Sequence, residues 1–422
     1  MSEQDRASRG LRIIHVFAVA IIVRLIVLAF LPDQGFPDAQ AYILMGKQLL
    51  SGELTTENYY MPLYPIFVAI TGGGGHITQL AEILISALTV ALIYRLTLDV
   101  FGDLRAALLS AIASAFYPHF LFYSVSGLTE TLFLGLFVGS FISFYRQRYW
   151  LGSLLLVASI LVRPTVDLIA PLLIVAFALV VHRQGWRQIG AHLLKYGLVY
   201  VVLMAPWWAH NFEKYGHFVR LSLGAGVVLY SGNNPLNTTG GGVMYAPNEP
   251  GYEEHENDLS FGPVSHLPDV YERDVELKRL AVEFIVNHPK RFVELAGIKF
   301  MRFWCLWPFN AGYQQPEIIA ASLLSYGVAL ALSILFLWKN AKRYWRKLSP
   351  VLLFTAYLTA VHMVTIGSIR YRLPVEPFLI IFAASMLSEL ATRWRPLDRL
   401  LTSFWLPRDT APYELKKKTG NG

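Results

Sequence analysis

Residues 317–338 read "EIIAASLLSYGVALALSILFLW", residues 338–347 read "WKNAKRYWRK", and residues 349–367 read "SPVLLFTAYLTAVHMVTIG". The order is apolar, then basic, then apolar. Each apolar run is about 20 residues long, the length that crosses a bilayer as a helix. A helix also bonds its own backbone, which lipid demands. The basic run between them belongs on the cytoplasmic side, where Lys and Arg accumulate in membrane proteins. These residues predict two spans that meet at a cytoplasmic turn.

The same pattern recurs along the chain. Candidate spans lie near 13–31, 77–98, 105–124, 130–146, 150–164, 165–182, 192–209, 317–338, 349–367 and 373–391. Composition agrees: of 422 residues, 55% are hydrophobic and 15% charged, with mean hydropathy +0.44. Soluble chains carry about 25% charged residues, so a soluble domain is excluded. The net charge of +7 comes from bases clustered between apolar runs, which is how topology determinants fall, and nucleic acid is not an expected partner. A single cysteine, Cys305, permits neither an internal disulfide nor a cysteine zinc site. Arg6, Arg9 and Arg12 precede the run from Ile13 to Leu31. That run is long, contains Arg24 and has no small-residue cleavage site after it, so it reads as an uncleaved first span.

Orientation follows from the bases. "RASRGLR" at 6–12, "RQRYW" at 146–150, "HRQGWRQ" at 182–188, the run at 338–347 and the tail "KKK" all fall on one side when the spans alternate. Both termini are then cytoplasmic. The alternation requires that 291–309, "RFVELAGIKFMRFWCLWPF", lies in the interface instead of crossing. Three segments face outward: the loop 32–76, the turn "YPHFLFYSVSGLTE" at 117–130, and 210–316. The expected fold is an all-α polytopic membrane protein of about ten transmembrane helices, with surface helices on the outer face and a small periplasmic subdomain. Its expected parts are an N-terminal transmembrane catalytic module (1–209), a periplasmic subdomain (210–316), C-terminal transmembrane helices (317–391) and a cytoplasmic tail (392–422).

The first outer loop carries the chemistry. On a helical wheel "AQAYILMGKQLL" (39–50) gathers Ala41, Tyr42, Ile43, Met45, Leu49 and Leu50 on one arc, which predicts a short amphipathic helix flat on the bilayer. "MPLYPIFVAI" (61–70) is too short to cross and predicts a second surface helix. "GGGG" at 72–75 has no following Lys-Ser/Thr and reads as a hinge, not a phosphate loop. Asp38, after Pro37, reads as the N-cap of the first surface helix, a position that also holds a carboxylate at fixed height above the membrane.

"PDAQAYILMGKQLLSGEL…MPLYPIFVA" resembles the first outer loop of the GT-C superfamily of glycosyltransferases, in particular glycosyltransferase family 39 and the lipid A aminoarabinose transferases. Further matches follow in order: "GLTETLF" around Glu130, "LVRP" at 161–164, "PWWAHNFEKYGHFV" at 206–219, "GNNP" at 232–235 and "RYRLPVEP" at 370–377. The sequence departs from the pattern at Ala39, where a second acid is expected, at Met61, where a base is expected, and at His210, where an arginine is expected.

The resemblance implies sugar transfer, with inversion, from a polyprenyl-phosphate donor to an envelope lipid, polysaccharide or protein on the periplasmic face: a hexosyl- or pentosyltransferase. Such a reaction needs a base at the acceptor hydroxyl and positive charge at the leaving phosphate. The resemblance makes Asp38 the base and Glu130 a second catalytic acid, with Asp33 a substitute in the same loop. Arg163, His210, Arg370 and Arg372 are the phosphate-binding candidates, because arginine's fork matches phosphate oxygens. Tyr42, Tyr64 and Asn211 fall inside the matched motifs and are candidate substrate contacts. Asn234 in "GNNP" suits a sugar hydroxyl, although a turn is the plainer reading. Asp38, Glu130 and "YEEHEND" (252–258) permit a divalent metal without requiring one; no cofactor is implied. Two other classes compete: a lipid-linked-sugar flippase or transporter, which needs charges near mid-span, and an O-antigen ligase or polymerase, whose working residues belong in a large outer loop.

Overall fold

The computed structural model describes residues 3–31, 35–52, 54–243, 263–308 and 313–403, and is all-helical over them. The helices are α1 (Glu3–Phe30), α2 (Pro37–Ser51), α3 (Leu63–Ile70), α4 (His76–Phe101), α5 (Leu104–Ala115), α6 (Pro118–Tyr123), α7 (Glu130–Tyr145), α8 (Tyr149–Val162), α9 (Ala170–Val181), α10 (Trp186–Tyr215), α11 (Ala225–Gly232), α12 (Val270–Asn287), α13 (Pro289–Phe303), α14 (Pro316–Val364), α15 (Ile369–Arg393) and α16 (Arg395–Ser403).

Five of these, α1, α4, α10, α14 and α15, are long and apolar enough to cross a membrane, and α5, α7, α8 and α9 are shorter apolar helices. α14 counts twice. A straight helix would hold Tyr326 and His362 about 54 Å apart. Yet the Tyr326 ring lies 3.4 Å from the Arg372 guanidinium, and His362 stacks at 4.6 Å on neighbouring Tyr371. The helical run therefore doubles back. Its turn sits against the end of α4, where Tyr344 meets Phe101 at 5.1 Å and Lys347 donates to the Val100 carbonyl at 2.7 Å. Pro350, which lacks an N–H, follows at the start of the returning arm. With both arms counted, the described residues hold ten apolar passes, four of them the shorter helices α5, α7, α8 and α9, one near each span expected from the sequence.

Three of the predicted cytoplasmic stretches, 146–150, 182–188 and 338–347, lie at one end of this bundle. There Arg146 pairs with Asp99 at 2.8 Å, His182 bonds the Phe144 carbonyl at 2.9 Å, and Lys339 pairs with Glu389 at 2.9 Å. The helices α2, α3 and α6 and the segment around Arg370 lie at the other end. The tail lysines 416–418, Asp33 and the stretch 252–258 lie outside the described residues.

Inside the bundle α7 is buried on nearly all sides, with Phe133, Phe137, Phe141 and Phe144 forming an aromatic column against Phe177, Phe354 and Phe378. Arg24 is fully buried and ties α1 to its neighbours by bonds to the Ser86 hydroxyl at 2.7 Å and the Ala115 carbonyl at 3.2 Å. α13, which covers most of 291–309, is not among the helices apolar enough to cross. It is fastened through Lys299, whose buried ammonium donates to Asn233 Oδ1 at 2.9 Å and to the Val364 carbonyl at 3.1 Å.

Candidate functional site

The two outer-loop helices pack face to face as a lid. At Gly46 of α2 a Cβ would stand 2.7 Å from Val68 Cγ1 of α3, so only glycine permits this approach. The buried face of α2 is Ala39, Tyr42, Met45 and Gly46, while Leu44 and Leu50 are exposed. This corrects the arc drawn from the sequence: partners on α3 and in the bundle, not the bilayer, select the buried side. Gly72 to Gly75 join α3 to α4 with four successive positive φ angles between 75° and 100°, a path closed to ordinary L residues. Tyr42 forms edge contacts with Tyr60 (4.7 Å) and Tyr64 (4.8 Å), and Tyr64 donates its hydroxyl to the buried Glu82 of α4.

Asp38 lies in the first turn of α2, but it is not the cap. Phe36 holds the cap position, and no side chain bonds the helix start. The cap reading fails because two distant groups claim the Asp38 oxygens: Tyr60 donates to Oδ1 at 2.9 Å and Arg370 Nη1 donates to Oδ2 at 2.8 Å. Burial, then the Asp38 charge, push the Tyr60 phenol well above its ordinary pKa, so it remains a donor.

Arg370 reaches further. Its Nε donates to Glu130 Oε1 at 2.5 Å, and Arg163 Nη1 donates to the same oxygen and to Thr129 Oγ1 at 3.2 Å. Two carboxylates and two guanidiniums thus form one chain: Asp38, Arg370, Glu130, Arg163. The side chains differ in access. Glu130 is 3% exposed and Asp38 33%. A base must be reachable by a hydroxyl, which suits Asp38; Glu130 is placed instead to hold two arginines side by side.

Arg370 and Arg372 part company for a helical reason. Two residues apart on one turn, they project to nearly opposite sides. Arg372 is fully buried and is spent on Glu376 (3.0 Å) and the carbonyls of Phe303 (3.0 Å) and Cys305 (2.7 Å). Glu376 also accepts from His119 Nδ1 at 2.9 Å. The structure therefore joins Arg370, not Arg372, to Asp38.

His210 stacks on Trp207 at 5.5 Å and makes no contact with the cluster among the described residues. Asn211 accepts from Asn58 Nδ2 at 2.7 Å and donates to the Val219 carbonyl, holding the loop before α3 against α10. Asn234 is occupied by a turn, donating to the carbonyls of Tyr230 (2.9 Å) and Val243 (2.7 Å). Met61 is buried with Leu161, Met204 and Trp207, an apolar cluster where a base would be out of place. Among the described residues, no group of three or more His, Cys, Asp or Glu side chains is arranged to hold a metal ion.

Reading the sequence passed over Tyr60, Thr129, Glu82 and His119. Glu82 left a signal, as the one acid in the first five turns of an apolar span. Tyr60 left none, since its role depends on where Asp38 comes to rest.

No family model matches the chain, and no curated protein matches its sequence. Solved structures do share its fold. One is ArnT from Cupriavidus metallidurans bound to undecaprenyl phosphate, with TM-score 0.55 at 15% identity over 91% of this chain and 61% of that one. Another is the apo oligosaccharyltransferase of Archaeoglobus fulgidus, with TM-score 0.55 at 13% identity over 96% of this chain and 53% of that one. Both are GT-C glycosyltransferases, and the chain has the GT-C fold. It spans about three fifths and about half of their respective lengths.

Proposed function

We propose that the chain is a membrane glycosyltransferase that moves a sugar from a polyprenyl-phosphate donor to an envelope acceptor, with inversion. The observation that carries this reading is the four-membered chain from Asp38 to Arg163 beneath the lid. Two arginines that meet on one carboxylate oxygen suit a phosphate, and the reachable carboxylate beside them suits an acceptor hydroxyl. The shared fold supports it, and one neighbour was solved with undecaprenyl phosphate in place.

The roles follow from access and charge. Within the cluster two acids balance two bases. A donor phosphate brings negative charge to Arg163 and Arg370 and competes with Asp38 for Arg370. As Arg370 turns to the phosphate, Asp38 loses its cation and is left with Tyr60, free to take the proton of the incoming hydroxyl. That hydroxyl attacks the anomeric carbon from the face opposite the phosphate, the sugar–phosphate C–O bond breaks, and the electron pair leaves on the phosphate oxygen beside the arginines. Glu130 keeps both guanidiniums in register throughout. Asp38 is the catalytic residue, Arg163 and Arg370 hold the donor, and Glu130 positions them. Basic stretches at the opposite end support a periplasmic position for the cluster.

The test is mass spectrometry of envelope glycolipids and glycans from a deletion strain, complemented with wild type or Asp38→Asn at matched membrane levels. Loss of one sugar on deletion, restored by wild type and not by Asp38→Asn, supports the reading. Full restoration by Asp38→Asn removes Asp38 as base.

A further inference from the structure

At the end of the bundle opposite the candidate site, a cavity of about 780 Å3 opens between the ends of α4 and α9 and the turn of α14. Arg183, Lys342, Arg343 and Arg346 line it. Most bases nearby are neutralised: Arg95 and Arg146 pair with Asp99, Arg105 with Asp398, and Lys339 and Arg393 with Glu389. Asp99, Arg95 and Lys347 also line the cavity, Arg95 paired with Asp99 at 2.9 Å and Lys347 donating to the Val100 carbonyl at 2.7 Å; Arg183, Lys342, Arg343 and Arg346 have no carboxylate partner among the described residues. Membrane topology asks for basic residues on one side. It does not ask that unpaired ones share one concavity.

The surroundings hold these cations without cancelling them. The Arg343 guanidinium lies 5.1 Å from the Tyr344 ring and that of Arg346 lies 5.2 Å from the Trp345 ring, contacts that fix a guanidinium and leave its charge whole. Arg183 follows α9 in left-handed backbone (φ 55°), which few non-glycine residues adopt. Trp345 is 52% exposed, the amphipathic ring expected at headgroup depth.

We infer that this cavity binds the headgroup of an anionic glycerophospholipid from the leaflet opposite the catalytic face. The phosphate would sit among the four cations with its acyl chains against the neighbouring apolar helices. Basic pockets between membrane helices on this side take such headgroups. A zwitterionic lipid brings its own cation and gains little there. Because the lining comes from α4, α9 and the α14 turn, an occupied site fastens three helices together.

The experiment uses the full chain, purified in detergent and stripped of lipid. Phosphatidylglycerol, phosphatidylcholine or inorganic phosphate is added, and retention is followed by native mass spectrometry with melting temperature alongside. Phosphatidylglycerol is expected to be retained and to raise the melting temperature, and phosphatidylcholine is not. Each cation replaced by glutamine weakens retention about fivefold. The double variant Lys342→Gln/Arg346→Gln is read beside the quadruple variant that adds Arg183→Gln and Arg343→Gln, in case the latter does not fold. Exposed Arg279, on α12, serves as control: Arg279→Gln leaves retention unchanged. Equal retention of phosphatidylcholine, or undiminished retention by the double variant, overturns the inference. Displacement of phosphatidylglycerol by equimolar inorganic phosphate also overturns it, in favour of a free-phosphate site.

Discussion

Arg370 donates to Asp38 at 2.8 Å across 332 positions of the chain. With Glu130 on its Nε, this arginine uses two edges of its fork on two carboxylates. A lysine carries the charge but not the fork. Arg370→Lys should lower transfer by about 100-fold or more, the usual cost of losing an oriented group that stabilises developing charge. Transfer rates in membranes with matched protein levels check this, and near-wild-type transfer would remove Arg370 from the donor site.

Glu130 and Asp38 should separate on stability. Glu130→Gln leaves two largely buried guanidiniums without their shared anion, a loss of about 3–5 kcal/mol for a broken buried pair. Asp38→Asn acts at a half-exposed position and should cost about 1 kcal/mol or less. Melting in detergent distinguishes them, with Asp38→Asn the poorer enzyme and Glu130→Gln the less stable protein.

The lid contact at Gly46 is open to a two-residue test. Gly46→Ala places a methyl 2.7 Å from Val68 Cγ1 and should destabilise by about 1–3 kcal/mol through overpacking. Val68→Ala in the same chain clears the space. The double variant should regain both stability and transfer; additive losses would mean that the two helices do not meet there.

Burial lowers the Lys299 pKa from 10.5 to about 8. Between those values the unfolded chain holds a proton that the folded chain has released. Stability should therefore rise with pH from about 8 to 10.5 at this site. Lys299→Gln should flatten that part of the melting-temperature profile. An unchanged slope would assign it to another group.

The spans were legible because membrane helices must be apolar along their length and the turns between them basic on one side. The doubling of α14 was written in the run from Lys339 to Lys347. Asp38, Glu130, Arg163 and Arg370 could be singled out by motif, but not their pairing. That Asp38 bonds Tyr60 and Arg370 instead of its own helix start depends on partners 22 and 332 positions away. The different paths of Arg370 and Arg372 depend on the buried Glu376, which receives one of them. The buried side of α2 was misdrawn because a wheel shows where apolar residues fall, not where α3 comes to rest.

The cluster draws its four charges from residues 38, 130, 163 and 370, so synthesis assembles it in stages. Once Arg163 has emerged, Glu130 has a partner and the first eight helices can settle. Asp38 has none of its cations until the final apolar pass is inserted. A chain halted before residue 370 therefore keeps most of its passes and the lid but lacks the arginine that completes the site. On the proposed function, sugar transfer then requires the pass that carries Arg370, and chains halted before it are expected to be catalytically silent.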